Sequence, residues 1–239
     1  MIKLALLGSS GKMGREISAL INEADNFKLI CALNSKDKDF SPLFQSDVII
    51  DFSSPTSTLK MLEAAKLDGG SSAILIGTTG LDCGSYLQAL VPNRALLKSA
   101  NTSLGIAVLR RLVREAAKLL PGFDIEITEL HHKHKKDAPS GTALSLFDAA
   151  KDAKKGSCSI YARAEQRKDY EIGLSSLRGG DAFGRHCVGL YGPGEYLELT
   201  HNATSRTLFA KGALACASFL HAQKSAQKPG LYTMDDVLN

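Results

Sequence analysis

The sequence has no tryptophan, and aromatic side chains make up only 6% of its 239 residues. It also has no uninterrupted apolar run close to the ~18 residues that a membrane-spanning helix needs. The apolar stretch over residues 2–7 is followed at once by glycines, and it is too short for the hydrophobic part of a signal peptide. These absences predict a cytoplasmic globular protein with an aliphatic core and no membrane partner.

Cysteine and net charge are both modest. The five cysteines are odd in number and far apart, at Cys31, Cys83, Cys158, Cys187 and Cys216. None forms a C-x-x-C pair, so the spacing predicts neither a disulfide framework nor a cysteine zinc site, and it favours a reducing compartment. The formal charge of +4 is spread along the chain. Nucleic acid is therefore not a favoured partner, whereas a small anionic molecule is compatible with this charge.

The first half of the chain alternates short apolar runs with amphipathic segments. We predict strands at residues 3–7, 28–33, 48–51, 73–76 and 94–98, and helices at residues 12–23, 55–67 and 85–90. This alternation is typical of parallel strands joined by right-handed crossover helices, which form a doubly wound α/β sheet of the Rossmann type. Ligands of such sheets bind beyond the carboxyl ends of the strands.

The second half predicts a smaller α+β domain inserted into the first. A helix over residues 104–120 is indicated by apolar residues at helical spacing, which are Leu104, Val108, Leu112, Ala116 and Leu119. Strands of an antiparallel or mixed sheet are predicted at residues 123–129, 184–190 and 196–201, and a last helix at residues 208–223. Because that helix is expected to pack on the first domain, we expect one domain over residues 1–102 and 206–239, with residues 103–205 inserted.

A glycine-rich turn, G-x-x-G-x-x-G, follows the first predicted strand and opens the first helix, with glycines at Gly8, Gly11 and Gly14. Such a turn lets backbone N–H groups approach the pyrophosphate of a dinucleotide at a helix N-terminus. A merely structural tight turn would give the same string. A nucleoside-triphosphate loop is disfavoured, because Met13 stands where that loop has its magnesium-binding Ser or Thr.

The end of the second predicted strand bears on the choice of cofactor. An acidic residue expected there would bind the adenosine ribose and favour NAD, but the position is held by Asn34. An amide can still bond a hydroxyl, and the neighbouring Lys36 and Lys38 could accommodate the 2′-phosphate of NADP. A solvated basic loop is an equal alternative.

The densest group of chemically active side chains lies in residues 129–144, where three histidines and three lysines fall within six positions. A solvated charge run, a polyanion patch, a metal site and an active site all fit such a composition. We expect no metal, because adjacent lysines would repel a cation. A nucleic-acid patch is disfavoured, because aromatic residues are not interleaved with the charges.

The end of this group favours an active site. Pro139-Ser140-Gly141-Thr142 begins a predicted helix, whose N-terminal amides can receive an anion. Histidine can deliver a proton near neutral pH, and lysine can hold a carboxylate. A reductase needs this combination, because hydride transfer leaves negative charge on the substrate. His186 and His201 lie in strand patterns and are interpreted as structural histidines with satisfied hydrogen bonds, and Arg206 is left unassigned.

Residues 129–143 resemble the signature E-x-H-H-x-x-K-x-D-x-P-S-G-T-A of the 4-hydroxy-tetrahydrodipicolinate reductase family, also called the dihydrodipicolinate reductase family. The similarity extends to residues 8–14, 51–53, 77–80, 101–103, 178–186 and 201–206, and so to nearly the whole chain. It implies an NADH- or NADPH-dependent oxidoreductase of the diaminopimelate and lysine pathway. It also implies a homotetramer formed through the sheet of the inserted, substrate-binding and oligomerisation domain.

The resemblance further implies roles for individual residues. His131 matches the proton donor of the family, and Lys135 matches the lysine that acts with it. A substrate-carboxylate pocket is implied for His132, Ser140, Gly141 and Thr142. Cofactor contacts are implied for Gly8, Ser9, Ser10, Gly11, Lys12, Met13, Asn34, Gly77, Thr78, Thr79, Ser99, Ala100, Asn101 and Thr102. Two departures from the family are Asn34 in place of a frequent acidic residue and a short, lysine-rich segment over residues 151–170.

Two other functions remain open at this point. A non-catalytic NAD(P)-sensing protein would use the first domain without turnover, and loss of nicotinamide absorbance with the dicarboxylate would exclude it. Another Rossmann oxidoreductase, acting on an aldehyde or an amino acid, would need a nucleophilic cysteine or a different acid. No cysteine follows a predicted strand in a suitable loop.

Overall fold

The computed structural model describes all residues, 1–239, and divides them into two compact units. Unit 1 comprises Met1–Leu104 and Thr207–Asn239, and unit 2 comprises Gly105–Arg206. The strands are β1 (Ile2–Leu7), β2 (Phe27–Leu33), β3 (Val48–Asp51), β4 (Ala73–Ile76), β5 (Ala95–Lys98), β6 (Asp124–His131), β7 (Cys158–Tyr161), β8 (Glu171–Arg178), β9 (Gly184–Gly192), β10 (Glu195–Ala203) and β11 (Gly230–Tyr232). The helices are α1 (Lys12–Asn22), α2 (Pro55–Asp68), α3 (Gly84–Leu90), α4 (Leu104–Leu119), α5 (Gly141–Ala153), α6 (Thr207–Ser225) and α7 (Met234–Val237), with a short 3-10 helix at Ser41–Gln45.

The sheet of unit 1 has six parallel strands in the order β11-β5-β4-β3-β1-β2. This confirms the predicted α/β class and the Rossmann-type sheet. β3 and β4 are buried along their whole length, as expected for central strands covered by helices on both faces. Since β2 lies on one side of β1 and β3 on the other, the strand order reverses between β1 and β3. Loops that follow these two strands therefore meet at the switch point where such sheets bind ligands.

Local sequence explains how the helices of unit 1 begin. Ser54 caps α2 by accepting a hydrogen bond from the backbone N–H of Ser57 at 3.3 Å, and Pro55 occupies the first helical position. The alanine-rich α6 packs on β3, β4 and β5, as the sequence predicted. No helix of the chain combines the length and the apolar character that a bilayer crossing would require.

The sheet of unit 2 is mixed, in the order β10-β9-β6-β8-β7. β6 runs parallel to β8 and antiparallel to β9, while β7 joins β8 in parallel and β10 joins β9 in antiparallel. Side chains of β6 alternate between half-buried and buried along its whole length. The buried side chains, such as Ile125 and Ile127, pack with α4 and α5 in one core cluster. We call this covered side of the sheet its inner face.

The structure corrects two parts of the sequence interpretation. The helix over α4 is confirmed, but the apolar residues that indicated it are mostly exposed, with Leu112 at 49% and Leu119 at 78%. Its core-facing stripe is instead Ile106, Leu109, Val113 and Ala117. α4 carries two apolar stripes, and packing rather than spacing selects the buried one. The strands β7, β8 and β11 were not predicted.

Candidate active site

The glycine turn after β1 is closely packed at two of its three glycines. Gly8 has φ +92°, and a methyl group built there would lie 2.4 Å from the Phe52 carbonyl oxygen, at the end of β3. A methyl group on Gly14 would lie 2.3 Å from the Gly8 carbonyl oxygen. At Gly11 the nearest atom would be that same oxygen, at 3.3 Å. Gly8 and Gly14 are therefore needed for the packing of the turn, whereas Gly11 leaves room beside it.

The helix that follows this turn begins without a side-chain cap. Gly11 is the N-cap of α1 in an extended conformation, and no side chain accepts a hydrogen bond from the first turn. The first amides of a helix have no partner within the helix, and they carry partial positive charge. The turn and the start of α1 together suit the pyrophosphate of a dinucleotide, because the free amides of the first helical turn lie beside the open space at Gly11.

The other residues of the implied cofactor site follow the carboxyl ends of β2, β4 and β5, and parallel strands bring these ends to one edge of the sheet. At the end of β2, the Asn34 N–H donates to the carboxylate of Asp37 at 2.7 Å, and the Lys36 N–H donates to the Asn34 side-chain oxygen at 3.0 Å. These two bonds fold the turn. Lys36 and Lys38 are both exposed beside it.

A buried carboxylate ties the loop after β3 to the loop after β4. Asp51 is 0% exposed, and its carboxylate accepts hydrogen bonds from the hydroxyls of Thr58 at 2.5 Å and Thr78 at 3.1 Å. The Ser53 N–H donates to Asp51 at 3.0 Å and to the Thr78 hydroxyl at 2.9 Å. Burial raises the pKa of Asp51 above its ordinary value in spite of these hydrogen bonds. The Thr78 hydroxyl is therefore engaged within the protein.

The loop after β5 is held in a similar way. The Ser99 hydroxyl donates to the Asn101 carbonyl at 2.7 Å, and the Asn101 side-chain oxygen accepts from the Ser103 N–H at 2.9 Å. Thr102 is only 1% exposed, and its hydroxyl donates to the Phe209 carbonyl on α6 at 2.7 Å. Side chains here shape the loop, which leaves backbone groups as the natural contacts for a ligand.

In unit 2, the inner face of the sheet changes from apolar to polar towards the carboxyl end of β6. Residues directly opposite one another in a ladder point to the same face. Isoleucine or leucine fills the inner face at one end, but Glu129 lies opposite Ser176 on β8 and His186 on β9. His131 lies opposite Arg178. The core of the unit thus ends where a cluster of ionisable side chains begins.

Glu129 is the centre of this cluster and is 1% exposed. Its Oε1 atom accepts hydrogen bonds from the Ser140 N–H at 3.0 Å, the Ser176 hydroxyl at 2.7 Å and the Arg178 guanidinium at 2.9 Å. Burial raises the pKa of Glu129, but the ring nitrogens of His131 and His186 beside the carboxylate, together with the Ser140 and Ser176 donors, outweigh burial and hold that pKa far below its ordinary value. Glu129 is therefore ionised in the folded protein.

Two imidazoles face the second oxygen of Glu129. His131 Nδ1 lies 3.3 Å and His186 Nε2 lies 3.6 Å from Oε2, and the two rings meet edge to face with centroids 5.1 Å apart. His131 is 8% exposed and His186 is 4% exposed. These three side chains could offer ligand atoms within 4.8 Å of one another to a metal. The guanidinium of Arg178 on the same carboxylate opposes a second cation there.

The N-terminus of α5 adjoins this cluster. Ser140 caps the helix, since its hydroxyl oxygen accepts from the Ala143 N–H at 3.1 Å, and the same oxygen lies 3.3 Å from His186 Nε2. Gly141 is exposed, and a methyl group built on it would have no atom within 4 Å. The first turn of α5, with Gly141 and Thr142, can therefore receive an anion beside the cluster.

The two other basic residues implied for this site, His132 and Lys135, lie on the loop before α5. Lys135 Nζ forms an ion pair with Asp137 Oδ1 at 2.8 Å. His132 donates its backbone N–H to the Ala182 carbonyl at 2.8 Å. Desolvation and the positive charge of Arg206 lower the pKa of His132 below its ordinary value. His132 is accordingly a largely neutral imidazole until negative charge comes near it.

Sequence reasoning gave no role to Glu129, Arg178 or His186. Glu129 is the last residue of the strand predicted over residues 123–129, and β6 continues to His131. Residues two positions apart in a strand share a face, so a slightly longer predicted strand would have paired Glu129 with His131. His186 is on a strand as expected, but the expectation of satisfied hydrogen bonds is wrong, because its Nδ1 is buried without a partner. His201 lies opposite His186 on β10, and its Nδ1 likewise has no partner.

A Rossmann-type sheet with an open glycine turn, combined with a buried cluster of one glutamate and two histidines beside a helix N-terminus, is typical of an NAD(P)-dependent oxidoreductase. Two family models match the chain: "Dihydrodipicolinate reductase, N-terminus" over residues 2–102 and "Dihydrodipicolinate reductase, C-terminus" over residues 105–238. The chain belongs to the dihydrodipicolinate reductase family. The recognition made from the sequence is thereby confirmed, together with the oxidoreductase class and the use of NADH or NADPH.

Individual relatives agree with this assignment. A 4-hydroxy-tetrahydrodipicolinate reductase of Wolinella succinogenes is 41% identical over 259 residues, which cover 100% of this chain and 99% of the relative. One of Campylobacter jejuni subsp. jejuni is 42% identical over 248 residues, with 100% and 99% covered. Among solved structures, a dipicolinate-bound dihydrodipicolinate reductase from Paenisporosarcina sp. TG-14 has the same fold, with a TM-score of 0.79 at 23% identity over 98% of this chain and 97% of that one.

Proposed function

We propose that this protein reduces 4-hydroxy-tetrahydrodipicolinate, or the dihydrodipicolinate formed from it by loss of water, to tetrahydrodipicolinate. The observation that carries the proposal is the buried Glu129–His131–His186 cluster next to the first turn of α5. A proton donor and an anion receptor in one place suit a dicarboxylate that gains a proton as it is reduced. The names of the relatives specify this dicarboxylate.

The residues of unit 1 hold the dinucleotide. The amides that open α1 bind the pyrophosphate beside Gly11, and Asn34 lies at the position that meets the adenosine ribose. The loops after β4 and β5, held by Asp51 and by Ser99, border the nicotinamide end. When bound, the reduced nicotinamide supplies a hydride.

The residues of unit 2 bind the substrate and supply the proton. The first-turn amides of Gly141 and Thr142, with the Ser140 cap, hold one carboxylate, while His132 and Lys135 neutralise the other. His131 gives its proton to the substrate as the hydride arrives, so that no unneutralised carbanion or amide anion remains. Lys135 exchanges Asp137 for a substrate carboxylate in this scheme. The assembly of copies into a homotetramer, through the uncovered face of the second sheet, and a cytoplasmic location are part of the same proposal.

The test follows nicotinamide absorbance with NADH and with NADPH after the dicarboxylate is added to purified protein. We expect turnover by the wild type and a loss of kcat of about a hundredfold or more in His131→Ala and Lys135→Ala. His134→Ala is the matched control, because His134 is an exposed imidazole on the same loop. Full turnover by His131→Ala would remove His131 from the scheme. Binding of NADH without any turnover by the wild type would instead favour a nucleotide sensor.

A further inference from the structure

We propose that Glu129 is a positioning residue that holds the His131 ring in one orientation and one tautomer, with Nδ1–H directed at Glu129 and Nε2 carrying the proton that is transferred. The inference rests on the proposed function, since it explains how the proton donor of that reaction is prepared. It gives Glu129 a role that its place in a sequence motif does not define.

The first step concerns the carboxylate itself. Three donors from two elements of unit 2 converge on Oε1 of Glu129: Ser140 at the start of α5, and Ser176 and Arg178 on β8. A carboxylate oxygen bound in this way cannot turn without breaking all three bonds. Oε2 is therefore fixed in place and is buried with no hydrogen-bond partner, and His131 Nδ1, which lies 3.3 Å from it, is likewise buried without one.

The second step decides which imidazole uses Oε2. The Ser140 hydroxyl oxygen already accepts the Ala143 N–H, so its own proton is free to be donated to His186 Nε2 at 3.3 Å. An Nε2 that accepts this proton has none to give to Glu129. His131 is therefore the imidazole that donates to Oε2. Its Nδ1 is also the nearer ring nitrogen, at 3.3 Å from Oε2, whereas His186 Nε2 is at 3.6 Å.

The third step follows from the two nitrogens of one ring. If Nδ1 of His131 donates to Glu129, then Nε2 is the nitrogen that gains and loses a proton during turnover. Gly184 on β9 lies beside this atom, since a methyl group on Gly184 would come 3.1 Å from His131 Nε2. Glu129 stays ionised, because donors hold its pKa far below the ordinary range, so it faces His131 with a constant negative charge. The other ionisable neighbours of the pair are His186 on β9 and Arg178 on β8.

The experiment compares Glu129→Gln with Glu126→Gln, a control that removes a carboxylate on the opposite face of β6, where Glu126 pairs with Arg163 at 2.8 Å. In Glu129→Gln we expect kcat to fall by about tenfold to a hundredfold, with little change in KM for the dicarboxylate. We also expect the alkaline limb of the kcat–pH profile to move to lower pH, because the charge that favours the protonated ring is gone. Glu126→Gln should keep the wild-type profile.

A double-mutant cycle separates positioning from a general structural effect. If Glu129 acts through His131, then Glu129→Gln has no further effect on kcat in a His131→Ala background. An equal loss of kcat in both backgrounds would overturn the inference, and so would an unchanged pH profile. Loss of wild-type activity on removal of metal by a chelator would also overturn it, since the cluster would then be a metal site.

A spectroscopic measurement keeps this inference distinct from the proposed reaction. Long-range proton–nitrogen NMR correlations of the full-length protein report which ring nitrogen of His131 carries the proton in the neutral form. We expect the Nδ1–H tautomer in the wild type and a mixture in Glu129→Gln. The Nε2–H tautomer in the wild type would overturn the inference even if turnover is normal. Absence of turnover with an Nδ1–H tautomer would count against the proposed reaction alone.

Discussion

Gly14 packs directly against Gly8, so that a methyl group on Gly14 would lie 2.3 Å from the Gly8 carbonyl oxygen and 2.7 Å from the Ser9 α-carbon. Both neighbours are backbone atoms, which cannot move aside without opening the turn. We therefore expect Gly14→Ala to lower the free energy of unfolding by about 1–3 kcal/mol, as overpacking of a closed site does. Urea denaturation of the protein without cofactor measures this.

Gly11→Ala is the matched variant on the same turn. A methyl group there meets a single backbone oxygen at 3.3 Å, so the turn itself can accommodate it. It occupies the space assigned to the pyrophosphate. We expect nearly wild-type stability but at least about tenfold weaker binding of NADH and NADPH, measured by fluorescence titration. Equal stability losses in Gly11→Ala and Gly14→Ala would show that the glycines have no separate roles.

Gly141 makes a parallel prediction for the dicarboxylate. A methyl group on Gly141 has no protein atom within 4 Å, so it disturbs only a ligand at the start of α5. We expect Gly141→Ala to weaken dipicolinate binding by about tenfold while leaving NADH binding and thermal stability unchanged. Gly122→Ala serves as the control, because Gly122 also borders open space but lies in the turn after α4. Unaltered calorimetric affinity in Gly141→Ala would exclude the first turn of α5 as a carboxylate site.

The sheet of unit 1 could be predicted from the sequence because its central strands are buried on both faces. β3 and β4 consist almost entirely of apolar residues, and each is followed by a polar loop. β8 could not be predicted in this way. Its inner face begins with Ile172 and Leu174 but continues with Ser176 and Arg178, which hold Glu129. The apolar alternation stops where the strand enters the candidate site. The polar residues of the site therefore replace the apolar pattern from which the strand could have been predicted.

The candidate site itself was only partly visible in the sequence. The resemblance pointed to His131 and Ser140, and the structure places both around Glu129. His186 is 55 positions beyond His131 in the chain and reaches it only because β9 pairs with β6, a long-range pairing that no local pattern encodes. The apolar residues that indicated α4 predicted that a helix is present but not which of its sides is buried. The side that packs in the core carries Ile106, Leu109, Val113 and Ala117.

Binding of a dicarboxylate should depend on pH through His132. Its pKa lies below the ordinary value, because of desolvation and the positive charges of Arg206 and His134, so the empty site holds a mainly neutral ring near pH ~7. Two bound carboxylates favour the charged ring, and binding then takes up a proton. We expect dipicolinate affinity to fall as pH rises from about 6 to about 8, and this slope to flatten in His132→Asn. Lys133→Asn, a change at an exposed residue of the same loop, should keep the slope. Calorimetry in two buffers should detect the proton.

Glu129 and Asp51 are both buried carboxylates, but their effects on stability should have opposite signs. The pKa of folded Glu129 lies far below its ordinary value of 4.5, so the unfolded chain binds more protons in acid, and stability is lost as pH falls through about 5 to 3. The pKa of folded Asp51 lies above its ordinary value of 3.8, so between these two values the folded chain binds more protons and acid favours folding.

Replacing one of these carboxylates by its amide removes the contribution of that group's ionisation to the pH dependence of the free energy of unfolding. In urea denaturation from about pH 7 to about pH 3.5, Glu129→Gln should therefore flatten the acid-side loss of stability, whereas Asp51→Asn should steepen it. The absolute stabilities also change, because each amide loses hydrogen bonds, but the slopes against pH isolate the ionisation. A steeper slope in Glu129→Gln would mean that Glu129 is protonated in the folded protein, and it could then not hold His131 by charge.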